Sequence, residues 1–103
     1  MSFFSEYTKR YQDIMLHLYN DEEKRSQYYR LYFDLCSEEF YLHERKYLPS
    51  DVWKMWEDGM KFEFKIKDVN TAWEANSQYY NDKFCEFMRK IINDSKTNNY
   101  NNK

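Results

Sequence analysis

Lys61-Phe62-Glu63-Phe64-Lys65-Ile66-Lys67 is the stretch whose reading decides the fold class of this chain. Charged and apolar residues alternate strictly along it, which is the period of a half-buried strand. A strand needs a partner, and an unpaired ladder leaves its backbone N–H and C=O groups unsatisfied. One Gly and one Pro among 103 residues leave almost no turn residues with which to build a hairpin. The stretch therefore reads as a helical or irregular continuation of the segment before it, with strand pairing across a dimer axis as the alternative. The chain is then all-α: a single compact domain of four to five helices over residues 1–93, with a long central second helix and a disordered polar tail at 94–103.

Upstream, Tyr7, Tyr11, Ile14, Met15 and Leu18 share one face of a first helix over about 5–19. Asn20 and Glu23 have the spacing of a capping box opening a second helix from about Asp21 to Lys46. That helix carries Tyr28, Tyr29, Leu31, Tyr32, Phe33, Leu35, Cys36, Phe40, Tyr41 and Leu42 on more than one stripe, which places it centrally, against the third and last helices. Pro49 stops it and suits the first position of a third helix, whose buried face is Val52, Trp53, Trp56 and Met60. Gly59 reads as a cap or as a point of close backbone approach. A short helix over 71–77 carries Trp73. Asn81 caps a last helix in which Phe84, Phe87, Met88, Ile91 and Ile92 keep strict helical spacing. The expected core includes Leu35, Trp53, Trp56, Trp73 and Phe87.

Composition narrows the function classes. Eleven Tyr, eight Phe and three Trp set this chain apart from disordered ones, which are poor in rings. The mean hydropathy of −1.10 reflects tyrosine scored as polar. A net charge of −2 with interspersed signs gives no electrostatic footprint for nucleic acid or an anionic membrane. No segment has the length and apolarity of a membrane span or the h-region of a leader. Cys36 and Cys85, isolated in apolar surroundings, read as buried structural thiols of a cytoplasmic protein.

Three segments carry a family resemblance: Phe33-Asp34-Leu35-Cys36-Ser37-Glu38-Glu39-Phe40-Tyr41-Leu42, then Val52-Trp53-Lys54-Met55-Trp56-Glu57-Asp58-Gly59-Met60, then Ala72-Trp73-Glu74 with Tyr79-Tyr80 and Phe84-Cys85-Glu86-Phe87. In this order they resemble an uncharacterised family of small bacterial helical proteins, some of which carry membrane anchors before this region. The resemblance implies a helical fold and no known activity. The chain shows no anchor, so a membrane location is not carried over.

Several constellations compete with blander readings. Asp13–His17 and Glu39–His43 repeat an i,i+4 carboxylate–His spacing, but the Glu-x-x-His pattern of di-metal bundles is missing, and solvated pairs are the better reading. Glu38–Glu39 and the other acidic clusters read as solvated faces. Arg10 and His17 fit the loose Arg-x(4–6)-His spacing of HEPN-type ribonucleases, in which the His moves protons and the Arg steadies phosphate. Two exposed residues of an amphipathic helix are the commoner outcome of that spacing.

The surplus of rings is more informative. Tyr28, Tyr29, Tyr32, Tyr41, Phe62, Phe64, Tyr79 and Tyr80 cannot all point inward, and Tyr supplies large contact area at low entropic cost. These residues form the expected partner-binding surface. The expected function is a non-enzymatic protein-binding module without cofactor or metal: an adaptor, subunit or occluding inhibitor of a larger bacterial or phage machine, in phage defence or anti-defence. A metal-independent, HEPN-like ribonuclease using Arg10 and His17 is the alternative. A homodimer meeting at Tyr28, Tyr32 or the Phe62–Ile66 segment is also expected.

Overall fold

Phe33 sits at the crossing of four other rings and has no exposed surface. In the computed structural model, which describes the backbone of residues 3–101 and the side chains of residues 5–96, five α-helices surround it. They are α1 (Phe3–Asn20), α2 (Arg25–Glu44), α3 (Ser50–Glu63), α4 (Lys67–Asn76) and α5 (Asp82–Asn101), with single 3-10 turns at Glu22–Lys24 and Ser77–Tyr79. There is no strand among the described residues, and no helix is long and apolar enough to cross a membrane. The architecture is the expected all-α domain.

The deciding stretch is the end of α3 and the turn into α4. A helix places Met60, Glu63 and Phe64 on one face, and these three are buried, whereas Phe62 is 62% exposed. The turn is closed by Phe64 N–H to Met60 O at 3.0 Å and Ile66 N–H to Glu63 O at 3.0 Å. Asn70 Nδ2 then donates to the Phe64 carbonyl at 2.6 Å and the Ile66 carbonyl at 3.0 Å, supplying partners for groups that a helix end leaves open.

α2 is central, as its multiple apolar stripes require. Its Phe33 meets Trp73 of α4 edge-on at 5.2 Å and stacks near Phe64 at 6.2 Å. Its Phe40 stacks on Phe87 of α5 at 4.6 Å, and its His43 lies flat on Trp53 of α3 at 4.0 Å. Trp73 continues to Phe84 at 5.7 Å, so one connected ring cluster ties α2 to α3, α4 and α5. Leu35, Trp53 and Trp73 are buried core as expected. Trp56 and Phe87 are only partly covered: Phe87 lies at the edge of the ring cluster, and Trp56 faces a cleft beneath α1.

The caps differ in detail from the sequence reading. Asp21, one residue after Asn20, accepts the Lys24 N–H at 3.3 Å and opens the 3-10 turn. Pro49 precedes the first turn of α3 as its N-cap. Asn81 accepts the Phe84 N–H at 2.9 Å, as its position predicts. α5 runs past Asn93: Ser95 is buried and donates to the Ile92 carbonyl at 2.7 Å, and Asp94 lies 3.7 Å from Lys61. Residues 102–103 of the expected tail, and the side chains from 97 on, lie outside the described residues.

α2 ends in a Schellman motif built without glycine. Lys46 has φ 62°, its N–H donates to the His43 carbonyl at 2.9 Å, and Tyr47 N–H reaches the Leu42 carbonyl at 3.0 Å. A non-glycine residue in this conformation costs about 1–2 kcal/mol. Lys46→Gly is therefore expected to stabilise the fold by about 1 kcal/mol, the gain being partly offset by chain entropy. Urea unfolding checks this, read as a rise in midpoint at constant m.

Candidate functional site

Beyond its buried Ile14 and Leu18, α1 is tied to its neighbours by two tyrosines one turn apart. Tyr7 Oη donates to Glu38 of α2 at 3.2 Å, and Tyr11 Oη donates to Glu63 of α3 at 2.8 Å. Arg10 reinforces the first contact with a two-pronged pair to Glu38, at 2.9 and 2.8 Å. Those hydrogen bonds hold the Glu38 carboxyl below its ordinary range. Burial, and then the bond to Glu63, push the Tyr11 hydroxyl well up.

Between these two ties a cleft of about 240 Å³ remains open, walled by Tyr7, Thr8 and Tyr11 of α1, Tyr32 and Glu39 of α2, and Met55, Trp56, Gly59 and Met60 of α3. Tyr7 meets Trp56 edge-on at 5.5 Å, and Tyr11 lies 6.3 Å from Tyr32. The volume exceeds the ~150 Å³ of a cavity that takes benzene. It falls short of the ~300 Å³ at which sites for drug-sized ligands begin. One ring or one extended side chain is what fits.

Two features of the cleft have no structural use. The first is Glu39, which is only 7% exposed and makes no hydrogen bond or ion pair among the described residues. Glu63 is equally buried at 6% but has Tyr11 as its partner. No sealed polar side-chain atom lacks a partner among the described residues, so the Glu39 oxygens keep their access through the cleft. Burial pushes the Glu39 carboxyl from 4.5 up to about 8, with Arg10 lowering it and Glu38 raising it to a smaller extent. Glu38–Glu39 is thus not a solvated pair: Glu39 occupies the core stripe of Tyr32, Leu35 and Leu42.

The second is Gly59. It lies within α3 and neither caps the helix nor admits a close backbone, because a Cβ built on it meets nothing within 4 Å. Glycine inside a helix costs about 0.5–1 kcal/mol relative to alanine. Gly59 lines the cleft, and a Cβ there would stand in open space.

The residues expected to bind a partner divide. Tyr32 and Phe64 are core residues, at 3% and 2% exposure, and present no surface. A strand period puts Phe62 and Phe64 on one side, but in a helix they lie on opposite sides, and only Phe62 emerges. Tyr28 is half-buried against the His17 ring at 4.5 Å, and Tyr29 flanks Phe33. Tyr41 and Tyr79 are exposed beneath Arg45 and Arg30. Tyr80 packs on Trp73 and donates to Asp34 at 2.6 Å. None of these lines the cleft except Tyr32. Its rim continues instead into exposed Met55 on α3 and, past Tyr11, into a shallow depression with Met15, Leu16 and Tyr19.

Arg10 is committed to Glu38, and His17 is stacked on Tyr28 with its Nδ1 2.9 Å from the Asp13 carbonyl. The pair does not converge on a common point as a phosphate-cleaving site requires. Cys36 is fully buried and burial pushes its thiol well up, while Cys85 Sγ donates to the Ser77 carbonyl at 3.3 Å. Neither is set as a nucleophile. Among the described residues no three His, Cys, Asp or Glu side chains are grouped to hold a metal ion.

Comparison with known proteins returns no match: no family model fits the chain, and neither a curated protein nor a solved structure is significantly similar to it.

The Glu39 carboxyl makes stability depend on pH with a definite sign. Its folded value lies above its unfolded one, so between about pH 4.5 and pH 8 the folded state holds the extra proton. Stability is then greatest below pH 4.5 on this group's account and is lost as pH rises towards 8. At ~1.4 kcal/mol per unit the loss is on the order of a few kcal/mol. Thermal melts from pH 5 to pH 8 are expected to fall for the native protein and to stay nearly flat for Glu39→Gln. Parallel slopes for the two proteins contradict the assignment.

Proposed function

We propose that this protein is a non-enzymatic binding module that receives a side chain of a protein partner in the cleft between α1, α2 and α3. The observation that carries the reading is Gly59, a residue that weakens its own helix, is required by no neighbour, and lines a ring-walled cleft. Met55 and Phe62, exposed and on the same side of α3 as Gly59, supply rim contacts, and Leu16 and Tyr19 extend the apolar surface along α1. Exposed apolar surface around a concave ring-lined centre is the anatomy of a protein contact, with aromatic anchors central and polar groups outside. The engagement of Arg10 by Glu38 favours binding over the ribonuclease reading, because phosphate must displace a two-pronged carboxylate to reach the guanidinium.

The test uses Gly59→Leu, which fills the cleft and improves the helix. A photo-crosslinking residue at Phe62 is introduced into the native chain and into Gly59→Leu, and both are exposed to lysate of the native host. A protein crosslinked by the first and lost with the second, at unchanged or raised Tm, is the expected result. Self-crosslinks with the same dependence identify a second copy of the chain as the partner. Capture of the same proteins by both chains, or of none, overturns the reading.

A further inference from the structure

The cleft is built for a positive charge. Its walls are the rings of Tyr7, Tyr11, Tyr32 and Trp56 with the sulfur-bearing chains of Met55 and Met60, and its one charged lining group is an acid, Glu39. The faces of Tyr and Trp rings attract cations through their quadrupole, most strongly where water is excluded. Arg10 pairs with Glu38 and lies over the Tyr7 ring, 5.0 Å from its centre, so Tyr7 already has a cation and, among the described residues, the Tyr11, Tyr32 and Trp56 rings do not. Facing Glu39 are Arg10, Tyr7 and Tyr11 from α1, and Tyr32, Cys36 and Glu38 from its own helix; the lining residues of α3 carry no charge. Among the described residues no cation makes an ion pair with Glu39. A buried carboxyl without a partner is destabilising, and an arriving cation supplies what it lacks.

We propose that Glu39 and the rings of the cleft recognise the alkylammonium side chain of a partner protein, a lysine or an N-methylated lysine, with the methylene stem lying against Met55, Met60 and Trp56. The proposal rests on the reading of the cleft as a docking site and adds the chemistry of what enters it. A cleft of about 240 Å³ suits a four-carbon stem with its ammonium head. The exposed side chain of Met55, which lines the cleft, and exposed Phe62 on the same side of α3 favour a lysine presented by a protein surface over a free amine, which gains nothing from that surface. Capture is linked to protonation. Glu39 sits near 8 when the cleft is empty and must release its proton to pair with the cation, so binding strengthens as pH rises from 6 to 8.

Calorimetry with five-residue peptides, Gly-Ala-X-Ala-Gly, tests this with X as lysine, trimethyllysine, Nε-acetyllysine or norleucine. One of the two cationic peptides is expected to bind at least tenfold more tightly than both neutral ones, with proton release at pH 7. Glu39→Gln should abolish that preference, and Gly59→Leu should abolish all binding. If norleucine binds as tightly as lysine, or Glu39→Gln keeps the preference, the cation inference fails while the docking cleft stands. Binding of choline without binding of any peptide makes the cleft a small-molecule site and overturns the partner assignment. Absence of binding by every probe overturns the inference, and the Phe62 crosslinking experiment then decides separately whether the cleft docks a partner at all.

Discussion

The ring cluster centred on Phe33 is the constraint on which the rest of the structure depends. α2 carries apolar residues around most of its circumference, and it is stable only if every side finds a neighbour. Phe33 and Phe40 meet Trp73, Phe84 and Phe87 on one side, and edge-on or offset-stacked ring pairs contribute about 0.5–1.5 kcal/mol each beyond burial. That side is complete. The side facing α1 packs on the buried Ile14 and Leu18 and is tied by Tyr7 and Arg10 to Glu38, while Tyr11 joins α1 to Glu63 of α3, and a cleft lies between the ties. The contact of α1 with its neighbours is thus closed at Ile14 and Leu18 and open at the cleft.

The two buried glutamates make the contrast sharp. Glu63 is held by a tyrosine hydroxyl and does a structural job, joining α1 to α3. Glu39, at the same depth, joins nothing among the described residues. A cost of a few kcal/mol is a large share of the 5–15 kcal/mol by which a domain is stable. Gly59 adds a smaller cost at the same place. Two unrelated destabilising choices that converge on one cleft are the pattern expected where stability yields to binding.

Much of the fold was legible because it rests on helical periodicity and local caps. Phe84, Met88 and Ile91 marked α5, Asn81 marked its start, and the crowded stripes of α2 marked its central place. The site was much less so. Glu38 and Glu39 are adjacent in sequence but about 100° apart around a helix, so one reaches Arg10 at the surface and the other turns into the core. The stripe of Tyr32, Leu35 and Leu42 was the signal that includes Glu39, and its acidic neighbour masked it. The Tyr11–Glu63 tie spans 52 positions, and no local pattern announces it. Phe62 and Phe64 were both expected at the surface, and only Phe62 is there, because alternation over so short a stretch does not distinguish a strand from a helix end followed by a turn.

The titration of Glu39 itself is the most direct measure of whether a carboxyl lies buried and unpartnered in the cleft. Carbon-13 NMR of the side-chain carboxyl, assigned by comparison with Glu39→Gln, gives its midpoint in the free protein. A midpoint near 8 is expected. A midpoint in the ordinary range near 4.5 means that Glu39 is solvated or already paired, and it contradicts both the geometry of the cleft and the function drawn from it.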